Sequence, residues 1–307
     1  MRTHEETRDK IDTEVGKPTM NALQRIAGGA ALAVAALALS APAFADGMRG
    51  SMKDKPAETR RCTFAANAAL TTDYVFRGFS QSGEGAAVQG GFDMTCGMFY
   101  AGVWASSLDF GVDDLATNNA AASMELDAYA GIKFKTGRLD WDAGVITYNY
   151  PNSTSNSFFA PGRHPDYIEL KLGVSTEVWK GGTLGSTVYY SPDYAFETGA
   201  VWTVEGTFSQ TLPTIMGRIV PTFSALVGYN KGVDNEYKLF TVANGDNHYV
   251  YWNAGVTFAL DKNWSVDVRY WDTNISGAGG FCNGTNPAIG DIFQCDGRVV
   301  GTLKATF

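Results

Sequence analysis

Residues 122–134, ASMELDAYAGIKF, alternate without a break. Ala122, Met124, Leu126, Ala128, Ala130, Ile132 and Phe134 fall on one face, and Ser123, Glu125, Asp127, Tyr129, Gly131 and Lys133 on the other. A period of two marks an extended strand with one apolar and one polar side. The same split recurs at 168–178, where Ile168, Leu170, Leu172, Val174 and Val178 oppose Glu169, Lys171, Gly173, Ser175 and Glu177, and again at 250–260 and 264–270. These runs are about twice as long as strands in ordinary globular sheets. A tilted strand crossing the hydrocarbon layer of a membrane needs roughly 9 to 11 residues.

The connections alternate in length. Short ones sit at Thr95-Cys96-Gly97, Lys135-Thr136-Gly137, Lys180-Gly181-Gly182, Pro213 to Gly217 and Asp261-Lys262-Asn263, and longer ones near 78–86, 108–120, 150–165, 191–197, 230–246 and 275–296. Counting the runs between them predicts twelve strands with both chain ends on the short-turn side. An even strand number with turns on one side and loops on the other is the pattern of a bacterial outer-membrane barrel. Closure follows from solvation, because an open sheet edge in lipid leaves backbone groups unpaired at several kcal/mol each. The expected fold is therefore all-β, an antiparallel transmembrane β-barrel of about twelve strands over residues 63–307. Tyr74, Tyr148, Tyr150, Tyr167, Tyr189, Tyr190, Tyr229, Tyr249, Tyr251 and Tyr270 lie near the long-loop ends, and Trp141, Trp179 and Trp264 beside short turns. These placements are expected of aromatic rings at the two membrane interfaces. The competing assignment is core aromatics of a soluble sandwich.

One long apolar run stands apart, AGGAALAVAALALSAPAFA at 27–45. Arg25 precedes it, Ala30 to Leu39 form its centre, and Ala43, Phe44 and Ala45 make a small-x-small triplet, so a secretory signal cut between Ala45 and Asp46 is expected. A membrane-spanning helix is the competing assignment, disfavoured by the run's brevity and by Pro42. Met20 supplies a natural start, which makes residues 1–19 an over-called start or a leader. The expected organisation is thus leader and signal over 1–45, a periplasmic segment over 46–62, and the barrel beyond. Loss of the leader removes five basic and five acidic residues, so the net charge stays at −8. An acidic chain without a basic patch is a poor nucleic-acid binder. All four cysteines lie in the exported part, where thiols oxidise. Cys62 precedes the first strand and Cys96 sits in the first short turn, while Cys282 and Cys295 share one long loop, so the pairs 62 with 96 and 282 with 295 are expected over the other two connectivities. No Cys/His spacing of a zinc site occurs, and no phosphate-cradling or cofactor motif appears.

With the apolar phase facing lipid, the charged phase faces the lumen. Asp73, Asp93, Glu125, Asp127, Asp140, Asp142, Glu169, Glu177, Glu205 and Asp267 are assigned there, against Arg77, Lys133, Lys171, Arg218, Arg269, Arg298 and Lys304. Ten acids against seven bases suggest a weak cation preference. The expected pore lining comprises Asp73, Arg77, Asp93, Glu125, Asp127, Lys133, Asp142, Glu169, Lys171, Glu205, Asp267 and Arg269. The competing view is that opposite charges pair across strands and plug the barrel. Twelve strands lie between the filled barrels of about eight and the open channels of sixteen or more, so only a narrow pore is expected. Asp73 and Arg77 share one phase opposite Tyr74 and Phe76, which puts Arg77 in the lumen at the outer mouth, with Gly78 releasing the chain into the first external loop. The alternative for Arg77 is a structural pairing with a carboxylate on a neighbouring strand.

The run YVFRGFSQS at 74–82, close behind a signal peptide, resembles the signature of the TorF family of porins, catalogued as the proteobacterial Gcw_chp domain of unknown function. The likeness is carried by Tyr74, Val75, Arg77, Gly78, Ser80 and Gln81 and extends by order of segments over roughly 64–307. It implies an outer-membrane location in a Gram-negative bacterium and porin activity, and it transfers no functional residues. The ending GTLKATF, with Phe307 last, resembles the terminal strand by which such proteins are presented to their assembly machinery.

The function expected is a passive narrow pore for small solutes, without cofactor or enzymatic activity, in contact with outer-membrane lipids and of undetermined oligomeric state. A structural or adhesive barrel without conductance is the second class. A membrane-embedded hydrolase is the third. Asp246-Asn247-His248 and Asp140-Trp141-Asp142 loosely resemble outer-membrane protease groups, but the topology places them at opposite ends, separated by about 30 Å of membrane. His164 lies between prolines in an external loop, and no GxSxG elbow occurs.

Overall fold

Long alternating strands that must satisfy every backbone group have one economical arrangement, and the computed structural model shows it. It describes residues 62–109, 112–114, 119–120, 122–151, 153, 163–234, 237, 246–275, 285–286, 290–291 and 294–307. The proposed leader, the cleavage point at Ala45 and Asp46, and Cys282 lie outside the described residues.

Twelve strands form a closed antiparallel barrel. They are β1 (Thr63–Thr71), β2 (Ala87–Cys96), β3 (Phe99–Ser107) and β4 (Met124–Thr136). Next come β5 (Leu139–Asn149), β6 (Tyr167–Trp179), β7 (Gly182–Ser191) and β8 (Val201–Thr211). The last are β9 (Val220–Gly232), β10 (His248–Ala259), β11 (Trp264–Thr273) and β12 (Arg298–Thr306). Each pairs with its neighbours in chain order, and β12 closes on β1 through Asn67 opposite Thr306 to Thr71 opposite Thr302. Among the described residues no helix is long and apolar enough to cross a membrane, a statement that does not bear on strands.

The pleat sorts side chains as the alternation requires. On β4, Glu125, Asp127 and Tyr129 are buried inward, while Met124 and Leu126 are exposed. On β6, Tyr167, Glu169 and Lys171 are buried and Ile168, Leu170 and Leu172 exposed. The outer surface of the barrel is therefore apolar, and its polar side chains point into the lumen. Trp179 and Trp264 stand exposed on the outside at the short-turn end. At the long-loop end the outward rings are Trp202, Tyr229 and Tyr270, with Tyr190 tilted against Trp202 at 4.5 Å.

The expected outer tyrosine ring needs correction here. Tyr148, Tyr150, Tyr167, Tyr249 and Tyr251 are buried inside the barrel mouth, and Tyr74 and Tyr189 pack against that cluster. Tyr148, Tyr167 and Tyr189 share the phase of the charged residues on their strands, so a tyrosine in the polar phase of a strand belongs to the lumen even at interface depth. Small residues admit these rings. Gly131 and Gly144 face the hydroxyl of Tyr100, and a Cβ on either would strike it.

The end on the short-turn side is tied by Cys62 and Cys96, which form a disulfide between the start of β1 and the end of β2. Cys295 is disulfide-bonded as well; Cys282, the partner expected for it, lies outside the described residues. In the turn before β11, Asp261 accepts from the backbone N–H groups of Asn263 (2.7 Å) and Trp264 (2.8 Å). These bonds hold its carboxyl below the usual carboxylate range.

Candidate functional site

The segment between β1 and β2 does not leave the barrel. Val75–Phe76 pairs with Phe79–Ser80 as a two-residue hairpin, with Arg77 (φ 49) and Gly78 (φ 89) at its tip. Positive φ at both central positions defines the type I′ turn that suits hairpin twist and usually recruits Asn-Gly. Arginine in left-handed backbone costs about 1–2 kcal/mol, so something else must hold it there.

What holds it is an ion pair across the lumen. Arg77 donates from Nη1 to Glu169 Oε1 (2.7 Å) and from Nη2 to Glu169 Oε2 (2.8 Å), with the two side chains 4% and 1% exposed. Its guanidinium lies over the rings of Phe76 (4.8 Å) and Tyr189 (4.9 Å), and the Tyr148 hydroxyl also donates to Glu169 (3.1 Å). A planar guanidinium fits both carboxylate oxygens and both ring faces, which lysine does not. Glu169 is on β6, five strands along from β1. Arg77 thus reaches over the lumen instead of pairing with a neighbouring strand, and it belongs to the hairpin tip instead of continuing β1.

The rest of the hairpin is tied to the rim. Asp73 accepts from Ser80 Oγ (2.6 Å), Ser82 Oγ (2.9 Å) and Arg298 Nη1 (3.1 Å). The Ser80 amide donates to the Gln294 carbonyl (2.8 Å) and the Asp109 amide to the Gln81 carbonyl (3.0 Å). Phe79 meets Tyr249 edge-on at 5.2 Å. Gly78 packs against β10 and β11, where an added Cβ would enter the Thr273 methyl and come within 3.1 Å of Tyr251 Cβ. Gly78→Ala is accordingly expected to cost about 1–2 kcal/mol through its left-handed backbone alone, read as a lowered unfolding midpoint in urea with the slope unchanged.

Below the hairpin lies a carboxylate tier. The Tyr74 hydroxyl donates to Glu125 (3.1 Å) and the Tyr251 hydroxyl to Glu205 (2.5 Å). Asp127 is 2% exposed, and its Oδ1 has no partner. Further toward the short-turn end, Asp142 accepts from Tyr100 (2.6 Å) and Lys171 (2.7 Å), with Lys133 at 4.0 Å. Tyr129 donates to Asp93. Arg269 gathers Asp267 (2.9 Å), Asn253 (2.7 Å) and Ser224 (2.9 Å). All twelve expected lining residues thus point into the barrel interior or its mouth. Arg77 with Glu169, Lys133 and Lys171 with Asp142, and Asp267 with Arg269 are brought together. Arg218 is the exception among the wider lumen assignments: it sits in the exposed turn between β8 and β9. Arg298, assigned to the lumen phase but not to the site, bridges Asp73, Glu84 (2.8 Å) and Asp296 (3.0 Å) at the rim.

The other chemistry-bearing candidates stay apart. His248 starts β10 at the long-loop end, its ring 5.6 Å from Tyr229 on the outer surface. Asp140 and Asp142 sit at the opposite end of β5, where Asp140 pairs with Lys135 (3.0 Å). His164 is exposed. Among the described residues no group of three or more His, Cys, Asp or Glu side chains is placed to hold a metal ion.

A family profile described as a bacterial protein of unknown function, Gcw_chp, matches residues 57–307. The chain belongs to the Gcw_chp family. The matched span takes in all twelve strands and the inserted hairpin. No curated protein matches the sequence. Among solved structures the chain is similar to a KdgM porin, with 9% identity, a TM-score of 0.46, and coverage of 79% of this chain and 98% of that one. It is also similar to a NanC porin (9% identity, TM-score 0.45, 80% and 99% covered). A third is LpxR from Salmonella typhimurium (9% identity, TM-score 0.40, 79% and 99% covered). At these identities nothing about activity passes from them to this member of the Gcw_chp family.

Proposed function

We propose that this Gcw_chp protein is an outer-membrane pore that passes small solutes passively, with a weak preference for cations. The observation that carries it is the sorting of side chains over a closed wall, apolar outward and charged inward, which suits a lipid exterior and a wet lumen. The sign of the preference comes from unpaired charge. Asp93, Glu125, Asp127 and Glu205 carry no ion pair among the described residues. Arg77 and Arg269 each meet one carboxylate, Lys133 and Lys171 share Asp142, Arg298 meets Asp73, Glu84 and Asp296, and of the inward bases Lys304 alone among the described residues has no ion pair. The lumen is thereby left with excess negative potential, which favours cation entry. The resemblance of YVFRGFSQS to TorF porins belongs to the same proposal. So does delivery through Phe307, which is 72% exposed after β12.

Single-channel recording in a planar bilayer under a salt gradient tests this. Small steps with a reversal potential on the cation side are expected. A reversal potential on the anion side would overturn the preference. No current, together with no liposome swelling in small sugars, would overturn the pore itself. One observation favours that second class, a structural or adhesive barrel: the hairpin occupies the outer mouth and most lumenal bases are paired.

A further inference from the structure

The hairpin stands on two carboxyl groups. Its tip meets Glu169 through Arg77, and its first leg meets Glu125 through the Tyr74 hydroxyl (3.1 Å), with the Tyr74 ring edge-on to Trp104 at 5.2 Å. Glu125 has a further neighbour of its own kind. Asp127 follows in the same inward phase of β4, and the two carboxyl groups are hydrogen-bonded to each other. Both residues are 2% exposed, and Asp127 Oδ1 has no hydrogen-bond partner among the described residues.

The walls around this pair supply no counter-charge. Asp127 lies opposite Trp104 on β3 and Tyr148 on β5, and Glu125 opposite Ser106 on β3. The other titratable groups facing the pair are Tyr74 from the hairpin leg, Tyr150 beyond β5 and Glu169 on β6. Arg77, the base of the hairpin, is held by Glu169. An ionised carboxylate only accepts hydrogen bonds, so two of them cannot bond without a proton between them. Nor can two like charges in contact both persist where water is excluded. A metal ion in the proton's place would need more oxygen ligands than two carboxyl groups provide.

We propose that Glu125 and Asp127 hold one proton between them, and that this proton latches the hairpin in the barrel mouth. Asp127 carries it and donates to Glu125, which as the charged partner also accepts from Tyr74. The orphan Oδ1 is then the carbonyl oxygen of a neutral acid, whose missing bond costs less than that of a carboxylate oxygen. Transfer of the proton to water takes the pair from one negative charge to two. Both carboxylates then need water around them, and the Tyr74 leg is what covers Glu125, so the hairpin moves aside as the medium becomes alkaline. The inference goes beyond the pore reading and does not rest on it, since neither the proton nor the movement requires a current.

Two readouts on the full barrel in lipid vesicles test it, between about pH 6 and 9, below the ordinary range of tyrosine. Infrared difference spectra should show the C=O band of a protonated carboxyl group that falls as the pH rises and is missing from Asp127→Asn. That substitution keeps the shape and offers Glu125 an amide donor in place of the acid. Trypsin reports the hairpin, because the bond after Arg77, a side chain 4% exposed, is cut only when the tip lifts. At the alkaline end, cleavage there should be several-fold faster in the parent than in Asp127→Asn, and at the acidic end slow in both. Folding is checked by heat-modifiable gel mobility; should Asp127→Asn fail that check, Glu125→Gln, which leaves a single carboxyl group, takes its place. Absence of the band, its survival in the variant, or equal cleavage of the two proteins across the range would each overturn the proposal. A change that follows calcium concentration at fixed pH would overturn it too, by putting a metal ion where the proton is placed. Conductance of the same preparation judges the pore separately.

Discussion

Arg77→Ala is expected to raise single-channel conductance several-fold and to destabilise the barrel by about 3–5 kcal/mol. The substitution removes the only cation that touches Glu169 among the described residues, a side chain 1% exposed. A buried carboxylate left without its partner bears the desolvation cost alone. The cheapest relief is for water to enter and the hairpin to lift, since its Arg77 no longer offsets left-handed strain at the tip. Replacing both partners, Arg77→Met with Glu169→Leu, removes the stranded charge and keeps apolar bulk between Phe76 and Tyr189. That double variant is expected to return most of the stability and a conductance near that of the parent. Single-channel steps and urea midpoints measured on the three proteins decide it. Equal conductance in the parent and Arg77→Ala would show that the hairpin does not set the constriction.

Leu172→Arg is expected to cost about 2–4 kcal/mol, the range for a base on the lipid face near the bilayer midplane. Leu172 lies mid-strand on β6, 51% exposed on the outer surface, between Ala143 on β5 and Val188 on β7. The companion Ser175→Arg stands three residues on, in the inward phase and opposite Asp140. There the new guanidinium has water and a carboxylate, so stability should change little. Urea unfolding of the protein in lipid vesicles, followed by tryptophan fluorescence, compares the two. Equal destabilisation would mean that the apolar phase does not face lipid.

Much of this architecture is legible along the chain. The run from Ala122 to Phe134 announces a strand and assigns each side chain to a face, because direction in a pleated backbone is a local property that repeats every two residues. The alternation of short and long connections supplies the count and places both ends together. The same parity governs Tyr148 and Tyr150, which match Asp140 and Asp142 and therefore point inside; the general preference of aromatic rings for membrane interfaces does not override the pleat. The turn signal was also present in Arg77-Gly78, yet Arg is a poor left-handed residue, and nothing local marks it as a hairpin tip.

By itself the sequence determined the strands, their number, their facing and the closed antiparallel wall, since each follows from pleat geometry and from the cost of unpaired backbone groups in lipid. Only the tertiary structure decided that residues 72–86 turn inward, that Arg77 meets Glu169 ninety-two residues away, and that tyrosines from four strands and the connections between strands surround one mouth. Those contacts depend on which residues face one another across the lumen once the sheet has curled shut. No local period carries that information.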